Sequence, residues 1–237
     1  MRRPTAVLFD VGGVLILPNG QVMSEHLAER LDLCVDGDRC RDAVFRAGFD
    51  AVNTDDPPAF WRQSERMARA WAQHAGIPAE LAEAAWECLM RADVEDTPLW
   101  DELNPQAPAV LAELRSAGYR LGVVSNADGR LADDLARHGL REFFEVLIDS
   151  SVVGVSKPDP RVIELALTAM RLSPLDVWFL GDDYYFDIGC ARRARIAGRV
   201  LFDRLDLYPD SADYQRVRKL SDLFGLLRPD GLARSDG

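Results

Sequence analysis

Thr5-Ala6-Val7-Leu8-Phe9-Asp10-Val11-Gly12-Gly13-Val14 is the stretch that decides the fold. Its first five residues make a short, almost wholly apolar run that is partly β-branched, as expected of a strand buried on both faces of a sheet. The run stops at an acid, and the two glycines behind it permit a tight turn and a close backbone approach above the strand end. A strand of this kind needs parallel neighbours and covering helices.

Beyond Pro98 the chain supplies them. A helix over 107–117 closes at Gly118, and Tyr119–Val124 reads as a strand. A helix over 129–138 stops at Gly139, and Phe144–Ile148 follows as the next strand. Helices over 160–172 and 187–197 alternate with the apolar runs Val177–Leu180 and Arg199–Phe202. Strands and helices alternating at this spacing imply an α/β fold, with a Rossmann-like, doubly wound parallel sheet and right-handed crossovers.

Between the first strand and this block the texture changes. From Met23 to Ala92 strand signals vanish and helical periodicity predicts helices near 23–33, 38–51, 58–75 and 79–92. Asp55-Asp56-Pro57-Pro58 and Gly76-Ile77-Pro78 punctuate them. Leu27, Leu31, Phe45, Phe49, Trp61, Met67, Trp71, Leu81, Trp86 and Leu89 are spaced to pack as a small bundle, and core packing is the simpler reading of its aromatics. The expected division is a Rossmann-like core of residues 1–16 and 97–237 with an α-helical domain at 17–96 inserted in it. The last ten residues, from Arg228, are expected to fray.

Composition narrows the function. With 237 residues, 48% of them hydrophobic and 28% charged, the chain is an ordinary globular one with room for a core and an insert. A formal net charge of −11 disfavours a nucleic-acid partner. It does not exclude an anionic substrate, because a bound cation sets its own field. No segment approaches the roughly 20 apolar residues of a membrane helix, and no signal peptide is evident, so a cytoplasmic protein without a membrane partner is expected. Cys34, Cys40, Cys88 and Cys190 form no CxxC pair and read as reduced, mostly buried thiols. His26, His74 and His138 are scattered and carry no assigned chemistry. Arg192-Arg193-Ala194-Arg195 reads as a solvated helix face with local salt bridges. Lysine is rare, with only Lys157 and Lys219 present.

The chemistry-bearing residues gather at strand ends, where open parallel sheets bind ligands. Asp10 follows the first strand, Ser125-Asn126 the second, and Asp182-Asp183 follows Phe179-Leu180, while Lys157 lies in the loop that opens a helix. Four of the expected site residues also have a plainer reading. Asp182 and Asp187 could cap a helix N-terminus, Lys157 could be a surface lysine, and Ser125 could serve a turn.

Taken in order, these motifs resemble those of the haloacid dehalogenase-like hydrolases, in the branch with a helical cap inserted after the first motif. Phe9–Leu15 resembles the first motif, Val124–Ala127 the second and Lys157–Pro160 the third; Gly181-Asp182-Asp183 with Asp187 resembles the fourth. The resemblance spans about residues 5–225. It implies a hydrolase, most simply a phosphatase, acting on a phosphorylated small molecule with Asp10 as nucleophile and an aspartyl-phosphate intermediate. It implies Mg²⁺ held by Asp10, the backbone carbonyl of Gly12 and Asp182, with Asp187 ligating directly or through water. It gives Ser125 and Asn126 hydrogen bonds to the transferring phosphoryl group, and Lys157 a fixed positive charge for phosphate and Asp10.

One position departs from the pattern. Phosphatases of this family carry a second Asp, the general acid and base, where this chain has Gly12. Glycine supplies a carbonyl but no proton, and general acid–base catalysis is typically worth roughly 10²–10⁴-fold. Three ways out stand open: a substrate with a good leaving group such as an acyl or sugar 1-phosphate, a proton from water or from the insert (Asp55 or Asp56), or another reaction. The alternatives are a dehalogenase-like carbon-centre hydrolase and a non-catalytic ligand-binding or regulatory protein.

Overall fold

The computed structural model describes residues 3–52, 65–95 and 98–227. Asp55, Asp56, Trp61, the beginning of the helix expected at 58 and the tail from Arg228 lie outside the described residues. The first half of the chain runs β1 (Ala6–Phe9), β2 (Ile16–Pro18), α1 (Gly20–Leu31), α2 (Gly37–Val52), α3 (Glu65–Ala75), α4 (Ala82–Glu95) and β3 (Trp100–Leu103). Then follow α5 (Ala107–Ser116), β4 (Arg120–Ser125), α6 (Leu131–Arg137), β5 (Val146–Asp149), α7 (Ser150–Val153), α8 (Arg161–Met170), β6 (Val177–Gly181), α9 (Gly189–Arg193), β7 (Gly198–Phe202), β8 (Gln215–Val217) and α10 (Leu223–Leu227). The chain divides into two compact units, Met1–Leu15 with Leu103–Gly237, and Ile16–Glu102.

The first unit is built on a parallel sheet of order β5-β4-β1-β6-β7-β8. All four residues of β1 are fully buried, so the strand is indeed covered on both faces. Ala6 and Leu8 pack with Val124, Val177 and Phe179 beneath α8 and α9, while Val7 and Phe9 point to the opposite face by strand alternation. Burying a side chain such as Leu8 contributes about 1.5–3 kcal/mol. Order reverses at β1, whose neighbours are β4 and β6. Phe9 pairs with Val123 on one side and Leu180 on the other. Asp10 is therefore level with Val124 and Gly181, and Ser125 and Asp182 each come one residue later. Register thus brings three of the expected site residues to one edge of the sheet, at the topological switch point.

The second unit is a helical bundle with a two-stranded pairing of β2 and β3. Met23, Leu27, Met67, Trp71 and Leu89 form its core with at most 1% exposure. Trp71 and Trp86 meet with ring centroids 5.2 Å apart, and the Trp71 indole N–H donates to the Cys40 carbonyl at 3.2 Å. Trp86 and Trp100 also line a small apolar cavity with Met23 and Met90. Leu31 and Leu81, expected in this core, are exposed, and Phe45 and Phe49 are only partly buried. Leu31 ends α1 just before Asp32, which turns the chain with φ 56°, and Leu81 ends a short 3-10 turn. Among the described residues, no helix is long and apolar enough to cross a membrane.

Candidate active site

Asp10 sits one residue beyond β1, and its N–H still reaches the Leu180 carbonyl at 2.9 Å, so the sheet ladder fixes its backbone. Behind it the chain turns sharply, with the N–H groups of Val14 and Leu15 both directed at the Val11 carbonyl at 3.2 and 2.9 Å. Gly13 occupies that turn with φ +84°, and a Cβ there would lie 2.1 Å from Asp182 Oδ2. Glycine is required twice over, for the backbone angle and for the room. The same is true of space at Gly181, where a Cβ would lie 2.3 Å from Asp187 Cγ. Two glycines thus let two carboxylates close on the strand ends.

The Asp182–Asp187 segment is shaped by a wide turn at Tyr184–Ile188, with the Ile188 N–H bonded to the Asp183 carbonyl at 3.1 Å. Asp183 caps this turn, its Oδ1 accepting from the Phe186 N–H at 2.7 Å. The cap role weighed for Asp182 and Asp187 therefore belongs to their neighbour. Asp187, 1% exposed, is folded back so that Oδ2 accepts from the Asp183 N–H at 3.0 Å. The helix expected over 187–197 is shorter here, this turn continuing into α9.

Lys157 is 3% exposed and therefore no surface lysine. Its Nζ lies 2.8 Å from Asp10 Oδ1 and 2.6 Å from Asp187 Oδ1. The Asp187 contact is a hydrogen bond of good geometry. The Asp10 contact is an ion pair without that geometry, so Asp10 Oδ1 is buried with no hydrogen-bond partner. Burial works against the Lys157 charge, but Asp10 and Asp187 outweigh it and hold the ammonium above the usual lysine range.

Negative charge is in excess around that single cation. One carboxylate oxygen from each of Asp10, Asp182 and Asp187 lies within 4.8 Å of the others. Burial first, then Asp187, Asp10 and Asp183, pushes the Asp182 carboxyl well above its usual range. Burial and Asp187 push Asp183 up to about 7, and burial, opposed by Lys157, leaves Asp187 at about 6. The donors are hard oxygens, Asp10 Oδ1 has an ion-pair partner but no hydrogen bond, and Asp182 packs into the room left at Gly13. That set fits a hard divalent cation, and Asp10, Asp182 and Asp187 could hold one.

Ser125, at the end of β4, is 5% exposed. Asn126 is spent in part on Lys157: its Nδ2 donates to the Lys157 carbonyl at 2.9 Å and its Oδ1 accepts from the Lys157 N–H at 2.8 Å. A carboxamide has two N–H donors, so one remains for a ligand. Sequence reasoning missed Gly181 and Asp183 as supports, and it missed this amide clamp. Arg192, by contrast, behaves as read, an exposed side chain paired with Asp213 at 3.1 Å. His74 is likewise an ordinary partner, with Nε2 2.7 Å from Asp50 Oδ2. All four cysteines are free, Cys40 and Cys190 buried and Cys34 exposed.

A family model for haloacid dehalogenase-like hydrolases matches residues 4–195. The human haloacid dehalogenase-like hydrolase domain-containing protein 3 is 40% identical over 88 residues, 37% of this chain and 35% of that protein. A phosphoserine phosphatase of Thermus thermophilus is 32% identical over 161 residues, 67% of this chain and 61% of that protein. The chain therefore spans between about a third and three fifths of the length of these curated relatives. The crystal structure of the magnesium-bound HAD-hydrolase candidate YfnB of Bacillus subtilis superposes with a TM-score of 0.67, covering 95% of this chain and 99% of that one. Its identity is 17%, which carries the fold alone.

Proposed function

The chain belongs to the haloacid dehalogenase-like hydrolase family, and from that premise we propose that it is a Mg²⁺-dependent phosphatase that attacks a phosphorylated small molecule with Asp10. The observation that carries the reading is the buried Lys157 ammonium set between Asp10 and Asp187, with Asp182 beside them. A structural ion pair needs one acid for one base. A surplus of carboxylates drawn around the end of a central strand suits a centre that handles a cation and an anion together.

In this reading Asp10 forms the new bond to phosphorus as the bond to the leaving group breaks, giving an aspartyl-phosphate that water then hydrolyses. Lys157 fixes the orientation of Asp10 and offsets charge on the transferring group. Ser125 and the remaining N–H of Asn126 donate to phosphoryl oxygens. Asp10, Asp182 and the Gly12 carbonyl would hold Mg²⁺, with Asp187 acting through water because both its oxygens already have partners. Bound there, the cation supplies charge neutralisation that lets carboxylate and phosphate approach. The cytoplasm is the expected place of work.

Gly12 offers no proton, and Lys157, held charged by two carboxylates, is a poor acid. The leaving group must then depart without help from these residues, which favours acyl phosphates and sugar 1-phosphates over simple alkyl esters. Hydrolysis of p-nitrophenyl phosphate, whose leaving group also needs no proton, is the test. Turnover is expected with Mg²⁺, and loss of it with EDTA or in the Asp10→Asn variant. Turnover indifferent to both would refute the reading. Gly12 also favours a second reading, carbon-centre hydrolysis of the dehalogenase kind. The crowding of Asp182 and Asp187 argues against it, and release of halide from 2-haloacids without added metal would establish it.

A further inference from the structure

Asn126 and Lys157 are 31 residues apart in sequence, yet the amide of one closes on the peptide group of the other with two hydrogen bonds, at 2.9 and 2.8 Å. The pairing has the form of a bridge between strands, made by a side chain. Asn126 is itself aimed by the end of β5. Ser150 Oγ accepts from the Ala127 N–H at 3.1 Å and donates to the Ala127 carbonyl at 3.2 Å. Asp149 Oδ2 accepts from the N–H groups of Gly129 and Leu131 at 2.9 and 3.3 Å. The turn after β4 is therefore held on one side by β5 and reaches across to the lysine on the other.

We propose that Asn126 is a positioning residue that sets where the Lys157 ammonium stands between Asp10 and Asp187. The proposal rests on the phosphatase reading for what Lys157 does, though not for where it is held. The Lys157 side chain is long and flexible, and fixing such a chain in one rotamer requires a fixed root. Sheet hydrogen bonds cannot supply it, because Lys157 lies in a loop. The Asn126 amide anchors both the N–H and the carbonyl of that root. Asn is suited to the task because it carries a donor and an acceptor at one distance from the backbone. Aspartate has the same shape but would set a second acceptor against the Lys157 carbonyl.

The test uses the rarity of lysine in this chain. Lys157 and Lys219 are its only lysines, so protein labelled at the lysine side chains gives two side-chain NMR resonances, assigned with Lys219→Arg. The expected result is that Asn126→Asp, and Asn126→Ala where it folds, move or broaden the Lys157 resonance in the free protein, with no phosphate present. In the same variants kcat for p-nitrophenyl phosphate falls by roughly 10–100-fold, the scale of a small misplacement of a charged group. Phosphate affinity also falls, because both variants lose the second N–H that Asn126 offers a phosphoryl group, so the Lys157 resonance and the fall in kcat are the readouts that report on the ammonium. A Lys157 resonance unmoved in folded Asn126→Asp overturns the proposal, as does a loss confined to KM and phosphate affinity. Absence of turnover in every form would count against the phosphatase reading instead, and the lysine resonance would still decide the role of Asn126.

Discussion

Two clusters, one from each unit, set a basic side chain among acids, and they are built on opposite terms. In the helical unit, Arg41 of α2 meets both oxygens of Glu102 at 3.0 and 3.1 Å and Asp38 at 2.6 Å. Its acids keep contact with solvent, the Asp38 and Glu102 side chains being 79% and 36% exposed. In the sheet unit, the side chains of Lys157 and Asp187 are 2% and 1% exposed. Water screens the first cluster and leaves it little to do beyond tying β3 to α2. The second is far less open to solvent at Lys157 and Asp187, so their charges must be answered mainly by other protein groups. What marks a site is the number of acids left unanswered after pairing, and by that measure the Lys157 cluster stands apart from that of Arg41.

The comparison is broken most severely at Lys157. Lys157→Met leaves Asp10 and Asp187 buried without a cation, and a loss of about 3–5 kcal/mol in urea unfolding is expected, together with loss of turnover. A drop under about 1 kcal/mol would mean the cluster is as well hydrated as that of Arg41. Asp182→Asn is expected to act with the opposite sign. It removes a carboxyl that burial and Asp187 have already pushed up, so the metal-free protein should gain on the order of 1 kcal/mol while activity is lost. A melting temperature that falls in that variant contradicts the surplus of acid.

Titration sharpens the contrast further. Asp183 at about 7 and Asp187 at about 6 lie above the ordinary carboxyl value of 3.8. The folded protein then holds more protons than the unfolded one between those limits. Without metal, stability is fully present below about pH 4 as far as these groups are concerned and is lost as pH rises toward 7. Mg²⁺ should restore it, with a thermal shift larger at pH 7.5 than at pH 5, because ligand oxygens must be deprotonated to bind. A shift of equal size at both values would place the cation elsewhere. The smallest effect belongs to Arg41→Gln, expected to cost less than about 1 kcal/mol and to leave kcat unchanged.

The same contrast explains what the sequence could disclose. β1, β4, β6 and β7 are apolar runs because they are covered by helices; the ends of β1 and β6 carry acids in plain view, and the lysine stands in the loop that opens α8. β2, β3 and β8 were not legible. Ile16–Pro18 and Gln215–Val217 are three residues each, and Trp100-Asp101-Glu102-Leu103 is half acidic, so none shows a strand's period. Leu31 and Leu81 misled because helical spacing does not say where a helix stops. The grouping of Asp10, Lys157, Asp182 and Asp187 was readable from motif order. Its support was not: the room at Gly181, the cap by Asp183 and the Asn126 clamp depend on distances between segments far apart in the chain.

The central claim is that Asp10 takes the phosphoryl group, and the most direct measurement is mass spectrometry of the protein quenched in acid during turnover of acetyl phosphate with Mg²⁺. An adduct of one phosphoryl group is expected on the peptide that contains Asp10, absent with EDTA and absent in Asp10→Asn. Turnover of acetyl phosphate that persists in Asp10→Asn, or an adduct mapped to any other residue, would contradict it.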